Sequence, residues 1–244
     1  ITFPDNRQVE FEKGTSLLDI AKSISEGFAR SVEGAQVNGH KLMGLQEVLN
    51  EDSSVDFFKY DDDRAKQLFW HTSAHLMAAA IQKLYPGTKF AIGPAIEQGF
   101  YYDIESEHHF VPEDFEEIEK EMLEIARQKH DLEREDITRE DALKYFEDRG
   151  DIYKVELIND LPENESLSLY KLGDFIDLCK GPHITNTKEI KAVKILSTAG
   201  AYWRGDSKRQ MLQSLYGISF KKQSELADYL NMLEEAKKRD HRML

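Results

Sequence analysis

The chain has 244 residues and a formal net charge of −14, from 46 acidic against 32 basic side chains. That balance argues against broad, sequence-independent nucleic-acid binding, which needs many phosphate-neutralising cations, while permitting a local basic patch. A single cysteine, Cys179, excludes an intrachain disulfide framework and predicts a reducing, cytoplasmic setting. No apolar run approaches the ~20 residues of a membrane helix.

Residues 1–61 are expected to form a small module of their own. Ile1-Thr-Phe3 and Gln8-Val-Glu-Phe11 are short alternating runs about Pro4-Asp5-Asn6-Arg7, which predicts a hairpin turn. Thr15-Ser16 then opens a helix over 17–24, where Leu17, Ile20, Ala21 and Ile24 keep helical spacing. Further strands are expected at Gln36–Gly39 and Ser54–Tyr60, giving a mixed sheet over one helix. Asp61-Asp-Asp-Arg64 is a charge run that reads as a solvated linker or a helix start.

Residues 62–222 read as α+β. A helix over 66–84 ends near Pro86-Gly87, and Phe90–Ile96 and Gly99–Ile104 are expected as paired strands. Glu113–Arg127 is an acidic amphipathic helix with Phe115, Ile118, Met122 and Ile125 along its apolar stripe. Thr138 caps another helix, with Asp141 where a capping box usually has Glu or Gln. Tyr153–Ile158, Phe175–Leu178 and Ala192–Leu196 are expected strands. Residues 223–244 are highly charged and helical in pattern, with Leu226, Tyr229, Leu230 and Leu233 on one face.

Two half-motifs carry the chemistry: His71-Thr-Ser-Ala-His75 and Cys179-Lys-Gly-Pro-His183. They hold three imidazoles and the only thiol, each pair spaced i, i+4. On a helix that spacing puts His71 and His75 on one face. Gly181-Pro182 forbids a continued helix, so Cys179 and His183 belong on a loop or strand end. A helix pair plus a loop pair can assemble a four-residue catalytic pocket or a four-ligand metal site. The same spacing also suits polar residues at a helix start and a small buried thiol.

Gly99-Phe-Tyr-Tyr-Asp103 lies between the half-motifs, and Leu196-Ser-Thr-Ala-Gly-Ala-Tyr-Trp-Arg-Gly-Asp206 follows them. With these runs the whole chain resembles the N-terminal half of the bacterial-type threonyl-tRNA synthetases. The resemblance implies a TGS-like β-grasp module over 1–61 and a larger α+β editing domain over 62–222. It also implies a connector helix over 223–244, leading to an aminoacylation core outside this chain. The implied activity is hydrolysis of the aminoacyl ester of Ser-tRNA(Thr), sparing Thr-tRNA(Thr), without ATP-dependent charging. The implied pocket is His71, His75, Tyr102, Lys154, Asp177, Cys179 and His183. His71 with Lys154 is expected to position and activate water, Asp177 to hold the substrate ammonium, and Tyr102 to bond to substrate or ribose. His75, Cys179 and His183 would shape the pocket and contact the terminal adenosine.

Arg204, Lys208 and Arg209 are the expected tRNA contacts, with Tyr202 or Trp203 stacking on a base. The three-His, one-Cys set suits Zn²⁺, and related alanine-type domains use it so. The expectation here is that no metal is required. The expected partner is the seryl-bearing 3′ end of tRNA(Thr), without a membrane, in a full-length enzyme that dimerises through the part outside this chain. Two other readings remain: a zinc-dependent alanyl-type trans-editing hydrolase, and a non-catalytic tRNA-binding module. No Gly-x-x-x-x-Gly-Lys-Ser/Thr loop is present to suggest a GTPase.

Overall fold

In the computed structural model, which describes residues 1–243, the first module contains seven short elements. They are β1 (Thr15–Ser16), α1 (Leu17–Ile24), α2 (Glu26–Ser31), β2 (Gly34–Val37), β3 (Lys41–Gly44), β4 (Val48–Leu49) and β5 (Val55–Phe58). Strands β3-β2-β5 form an antiparallel sheet, and β1 pairs with β4. The expected Gln8–Phe11 strand reduces to one bridge, Thr2 to Gln8, and Thr2 also bridges Ser54 in parallel. Ser16 caps α1 by accepting from the Asp19 N–H, as its type suggests. Ser25 caps α2 in the same way through the Phe28 N–H, starting a helix the periodicity did not announce. Leu17, Ile20 and Ala21 enter a small core with Ala35, Val37 and Val55, while Ile24 stays 39% exposed.

The rest of the chain is built around α3 (Asp63–Leu84), which starts where the Asp62 side chain accepts from the Arg64 N–H. Fourteen of its residues are buried, from Ala65 to Ile81, so the helix is enclosed on nearly every side. After it come β6 (Lys89–Phe90), β7 (Ala95–Ile96), β8 (Gly99–Glu105), α4 (Phe115–Arg127), β9 (Glu133–Ile137), α5 (Arg139–Asp148) and α6 (Ile152–Asp160). The chain closes with β10 (Leu167–Leu172), β11 (Phe175–Leu178), β12 (Ala192–Tyr202), β13 (Met211–Phe220) and α7 (Gln223–Arg242). One antiparallel sheet runs β12-β13-β8-β6 with β7 also on β8, and a second runs β11-β10-β9. Helix α3 lies against both sheets and α4. Trp70 Nε1 donates to the Ser219 carbonyl (2.9 Å), and the Ser73 and Ser219 hydroxyls meet at 2.6 Å, tying α3 to β13.

Several expectations shift in register or type. The Phe90–Ile96 strand is interrupted at Ala91–Pro94, yet still exchanges bonds with β8: the Ala91 N–H reaches the Asp103 carbonyl (2.9 Å), and the Asp103 N–H reaches Ile92 (2.8 Å). Residues 153–158, expected as a strand, form most of helix α6. Six residues with apolar positions at 153, 155, 157 and 158 cannot separate the two periods. Here the i, i+4 pair Lys154 and Ile158 is buried together with Tyr153, while Ala142 and Phe146 of α5 and Leu167 and Leu169 of β10 join Ile158 in one cluster. Strand β9 is mostly exposed Glu, Arg and Asp, so it carries no apolar alternation to read. Helix α4 buries Phe115, Ile118, Met122 and Ile125, and Thr138 caps α5 by accepting from the Asp141 N–H. On α7, Leu226 is buried and Tyr229 and Leu230 are half-buried. No helix among the described residues is long and apolar enough to cross a membrane.

The two modules share apolar packing. Phe58 of β5 belongs to the same buried cluster as Leu68 and Phe69 of α3, and Leu42 of β3 packs against it. Arg64 bonds to Gln36 (2.8 Å) and Asp56 (2.9 Å), and Lys221 pairs with Glu33.

Candidate active site

Both half-motifs converge, and every one of the seven pocket residues lies in one cluster. His71 and His75 project from α3, Asp177 lies one residue before the end of β11, and Cys179 and His183 follow on the loop. One ligand atom each from His71, His75, Cys179 and His183 lies within 4.8 Å of the others. The imidazole rings of His71 and His183 stack with centroids 4.1 Å apart.

The hydrogen bonds fix the tautomers. His71 Nδ1 meets the Pro182 carbonyl at 3.0 Å, and a carbonyl only accepts, so Nδ1 carries the proton. The Thr72 hydroxyl donates to the Leu68 carbonyl (2.8 Å), so its oxygen accepts from His183 Nδ1 (2.9 Å) and from the Ile184 N–H (3.1 Å). His71 Nε2 and His183 Nε2 are therefore bare lone pairs, and they face the Cys179 sulfur at 3.4 and 3.3 Å. His75 Nε2 lies 3.3 Å from Asp177 Oδ2, and its buried Nδ1 has no partner.

Beside the imidazoles sits a buried charge cluster. Lys154 Nζ lies 2.6 Å from Asp177 Oδ1 and donates to the Ala91 carbonyl (2.7 Å) and the Tyr102 oxygen (3.2 Å). The Tyr102 hydroxyl donates to Asp177 Oδ2 at 2.5 Å. Tyr102 reaches this place because Gly93 lies on its ring: a Cβ at Gly93 would come 2.1 Å from Tyr102 Cδ2. Asp177 is 2% exposed; burial pushes its carboxyl up, but Lys154, His75 and the Tyr102 hydroxyl outweigh that and hold it below the usual carboxylate range. Burial drives His75 down to about 3, pushes His183 well below the ordinary imidazole value, and lowers His71 less, since its bond to Pro182 opposes the shift. The Cys179 thiol is pushed up by burial and by Asp177, so it stays protonated.

His71, His75, Lys154, Asp177 and Cys179 line a cavity of about 350 Å³ bounded by α3, α6, the Ala91–Pro94 interruption and the segment 177–181. That volume suits an aminoacyl-sized group. The set could also hold a zinc-class cation, because three imidazole lone pairs and a sulfur converge there.

The expected tRNA contacts have a different setting. Trp203 is 3% exposed, packs edge-on against Tyr153, and donates Nε1–H to Glu156 Oε2 (2.8 Å), which removes it as an open stacking platform. Arg209 grips Glu156 through both nitrogens (3.1 and 2.7 Å), and Arg204 pairs with Asp160. Tyr202 is 43% exposed, and Lys208 is exposed. The structure adds Thr72, the Ala91 carbonyl, Gly93 and Glu156 to the site and its supports. Only Thr72, inside the first half-motif, stood near a sequence signal; the others depend on long-range packing.

Comparisons with known proteins agree with this layout. The TGS domain model matches residues 1–59, and the model described as "Threonyl and Alanyl tRNA synthetase second additional domain" matches residues 167–216, a span that holds Asp177, Cys179 and His183. The chain is 55% identical over 244 residues to a "Threonine--tRNA ligase" of Finegoldia magna and 53% identical to one of Clostridioides difficile, covering all of this chain and 38% of each relative. It is 54% identical over 245 residues to one of Parabacteroides distasonis, covering 37% of it. The chain thus spans less than two-fifths of the length of these curated relatives. It carries a TGS domain and a threonyl/alanyl-type second additional domain, and over its whole length it corresponds to the N-terminal part of the bacterial threonine--tRNA ligases.

Proposed function

We propose that this chain is a proofreading hydrolase that cleaves the aminoacyl ester of Ser-tRNA(Thr) and spares Thr-tRNA(Thr). The observation that carries the reading is the shared opening: a neutral imidazole with a bare Nε2, His71, borders the same cavity as the buried ammonium of Lys154. Serine lacks one methyl of threonine, a difference worth only about 1–3 kcal/mol at a single site, so a second hydrolytic site restores fidelity.

Each group has a task in ester hydrolysis. Water attacks the ester carbonyl and gives its proton to His71 Nε2. The negative charge that develops on the carbonyl oxygen is countered through space by the Lys154 ammonium, whose three N–H groups stay on Asp177, Ala91 and Tyr102. The bond to the ribose oxygen then breaks, and the proton passes from His71 to that oxygen. Water, rather than Cys179, is the nucleophile, because burial keeps the thiol protonated. Asp177 orients Lys154 through Oδ1 and His75 through Oδ2, and its remaining lone pairs are the acceptors for the substrate ammonium. Tyr102 completes that network, while His75 and Cys179 form the wall toward the terminal adenosine and His183 backs Cys179 from behind. A serine side chain fits beside this wall; the extra methyl of threonine displaces the water.

A zinc-class ion on His71, His75, Cys179 and His183 would supply a Lewis acid. We propose that the reaction needs none, since four protein ligands leave no open position for water. The 3′ end of tRNA(Thr) is the partner, with Lys208 and Tyr202 as the surface residues free to meet it.

The test is single-turnover deacylation of Ser-tRNA(Thr) and Thr-tRNA(Thr) by the full-length protein, with and without chelator. Serine released and threonine retained in both conditions supports the reading. His71→Ala and Lys154→Ala should each slow seryl release at least a hundredfold; wild-type rates in both would sink the assigned roles. Loss of activity with chelator would favour the zinc-dependent alternative. Equal hydrolysis of both esters would rule out proofreading.

A further inference from the structure

The wall behind His183 is built by the first module. Gly44, the last residue of β3, lies against the His183 carbonyl: a Cβ added at Gly44 would sit 2.5 Å from that oxygen. The glycine is not there for backbone freedom, since its φ lies outside the left-handed region. What it provides is close approach of one backbone to another. The same Cβ would come 2.5 Å from Gln46 Oε1, but that side chain can turn away. The His183 carbonyl cannot yield so easily, because the segment is pinned on both sides: Pro182 accepts from His71, and the Ile184 N–H donates to Thr72. The turn that presents Gly44 is itself fixed, with the Gly44 N–H donating to Glu47 Oε2 (2.6 Å), Glu47 4% exposed, and the Glu47 carbonyl accepting from Leu17 at the start of α1.

From this contact we infer that the β-grasp module is the backstop of the hydrolytic site and that Gly44 is a positioning residue for the Cys179–His183 loop. The inference rests on the proofreading reading for its rate readout alone. With a side chain at position 44, the loop is pushed toward α3, and the facing of His71 Nε2 and His183 Nε2 about Cys179 is lost. Binding of the tRNA elsewhere on the molecule is untouched.

The experiment compares the full-length wild type with Gly44→Ala and with Gly27→Ala. The second is a control on exposed α2, where a Cβ meets nothing closer than 4.0 Å. Three quantities are read: the saturating rate of seryl release, the tRNA concentration giving half that rate, and the ring ¹³C–¹H resonance of His183 in histidine-labelled protein. Gly44→Ala should lower the saturating rate at least tenfold, leave the half-saturating concentration within twofold, and shift the His183 resonance. Gly27→Ala should match wild type in all three. A wild-type rate and an unmoved His183 resonance in Gly44→Ala overturn the inference. A slowed rate accompanied by loss of cooperative unfolding also overturns it, since that is a folding defect. A wild type that releases no serine counts against the proofreading reading instead, and the His183 resonance then decides the contact by itself.

Discussion

Lys154 directs its ammonium to Asp177, the Ala91 carbonyl and Tyr102, all inside the protein. Removing one partner of such a buried pair costs far more than removing both, because the survivor is left as an uncompensated charge. Lys154→Met should lower unfolding free energy by about 3–5 kcal/mol in urea titrations, and adding Asp177→Asn should recover part of the loss. The imidazoles add a pH signature. His75 binds a proton near 6.5 when unfolded but only near 3 when folded, so its contribution is fully present above 6.5 and is lost as pH falls. Between those values it should remove about 1.4 kcal/mol of stability per pH unit, and His75→Gln should flatten the dependence of the urea midpoint between pH 7 and pH 5. The sequence made the four His and Cys positions visible through spacing. Lys154, Asp177 and Tyr102 entered as site residues by resemblance, because nothing in a short alternating run announces which of its polar side chains will be turned inward.

At the scale of elements, the run 203–210 joins two long strands and grips α6. Trp203 and Arg209 hold Glu156, and Arg204 holds Asp160, two and six residues beyond Lys154. From sequence alone a basic, aromatic loop predicts contact with tRNA. In the structure Arg204 and Arg209 are matched by Asp160 and Glu156 of α6, carboxylates that carry no local sequence signal. The two kinds of residue are separable. Lys208→Ala should weaken tRNA binding and reduce its salt slope by about one. Arg209→Ala should change that slope less and instead lower the saturating rate of seryl release, because α6 carries Lys154. Filter binding across a salt series, paired with single-turnover rates, checks both.

For the molecule as a whole, the boundary between modules is crossed by packing as well as by chain. Phe58 and Leu42 share the cluster around α3, and Gly34 sits so close to Leu68 that a Cβ would come 2.7 Å from its Cδ2. Calorimetry should therefore show the two modules unfolding in one transition rather than two. Gly34→Ala should lower its midpoint without splitting it. Turns, caps and periodicity made α1, α3, α4 and α5 readable in the sequence, whereas α2, β9, α6 and this seam were not. Its two close approaches lie at Gly34 and Gly44, which carry no hydropathy signal, and its apolar and charged contacts join residues far apart in the chain.

Helix α3 holds the Cys179–His183 loop through adjacent residues, His71 at the Pro182 carbonyl and Thr72 at the His183 ring, and reaches Asp177 one turn later through His75. It thus acts as a ruler read at three marks. Adding one residue between Thr72 and His75 would turn the third mark by about 100° relative to the first two. The length of the helix between those marks therefore cannot drift, and a one-residue insertion or deletion within 71–75 should abolish seryl release.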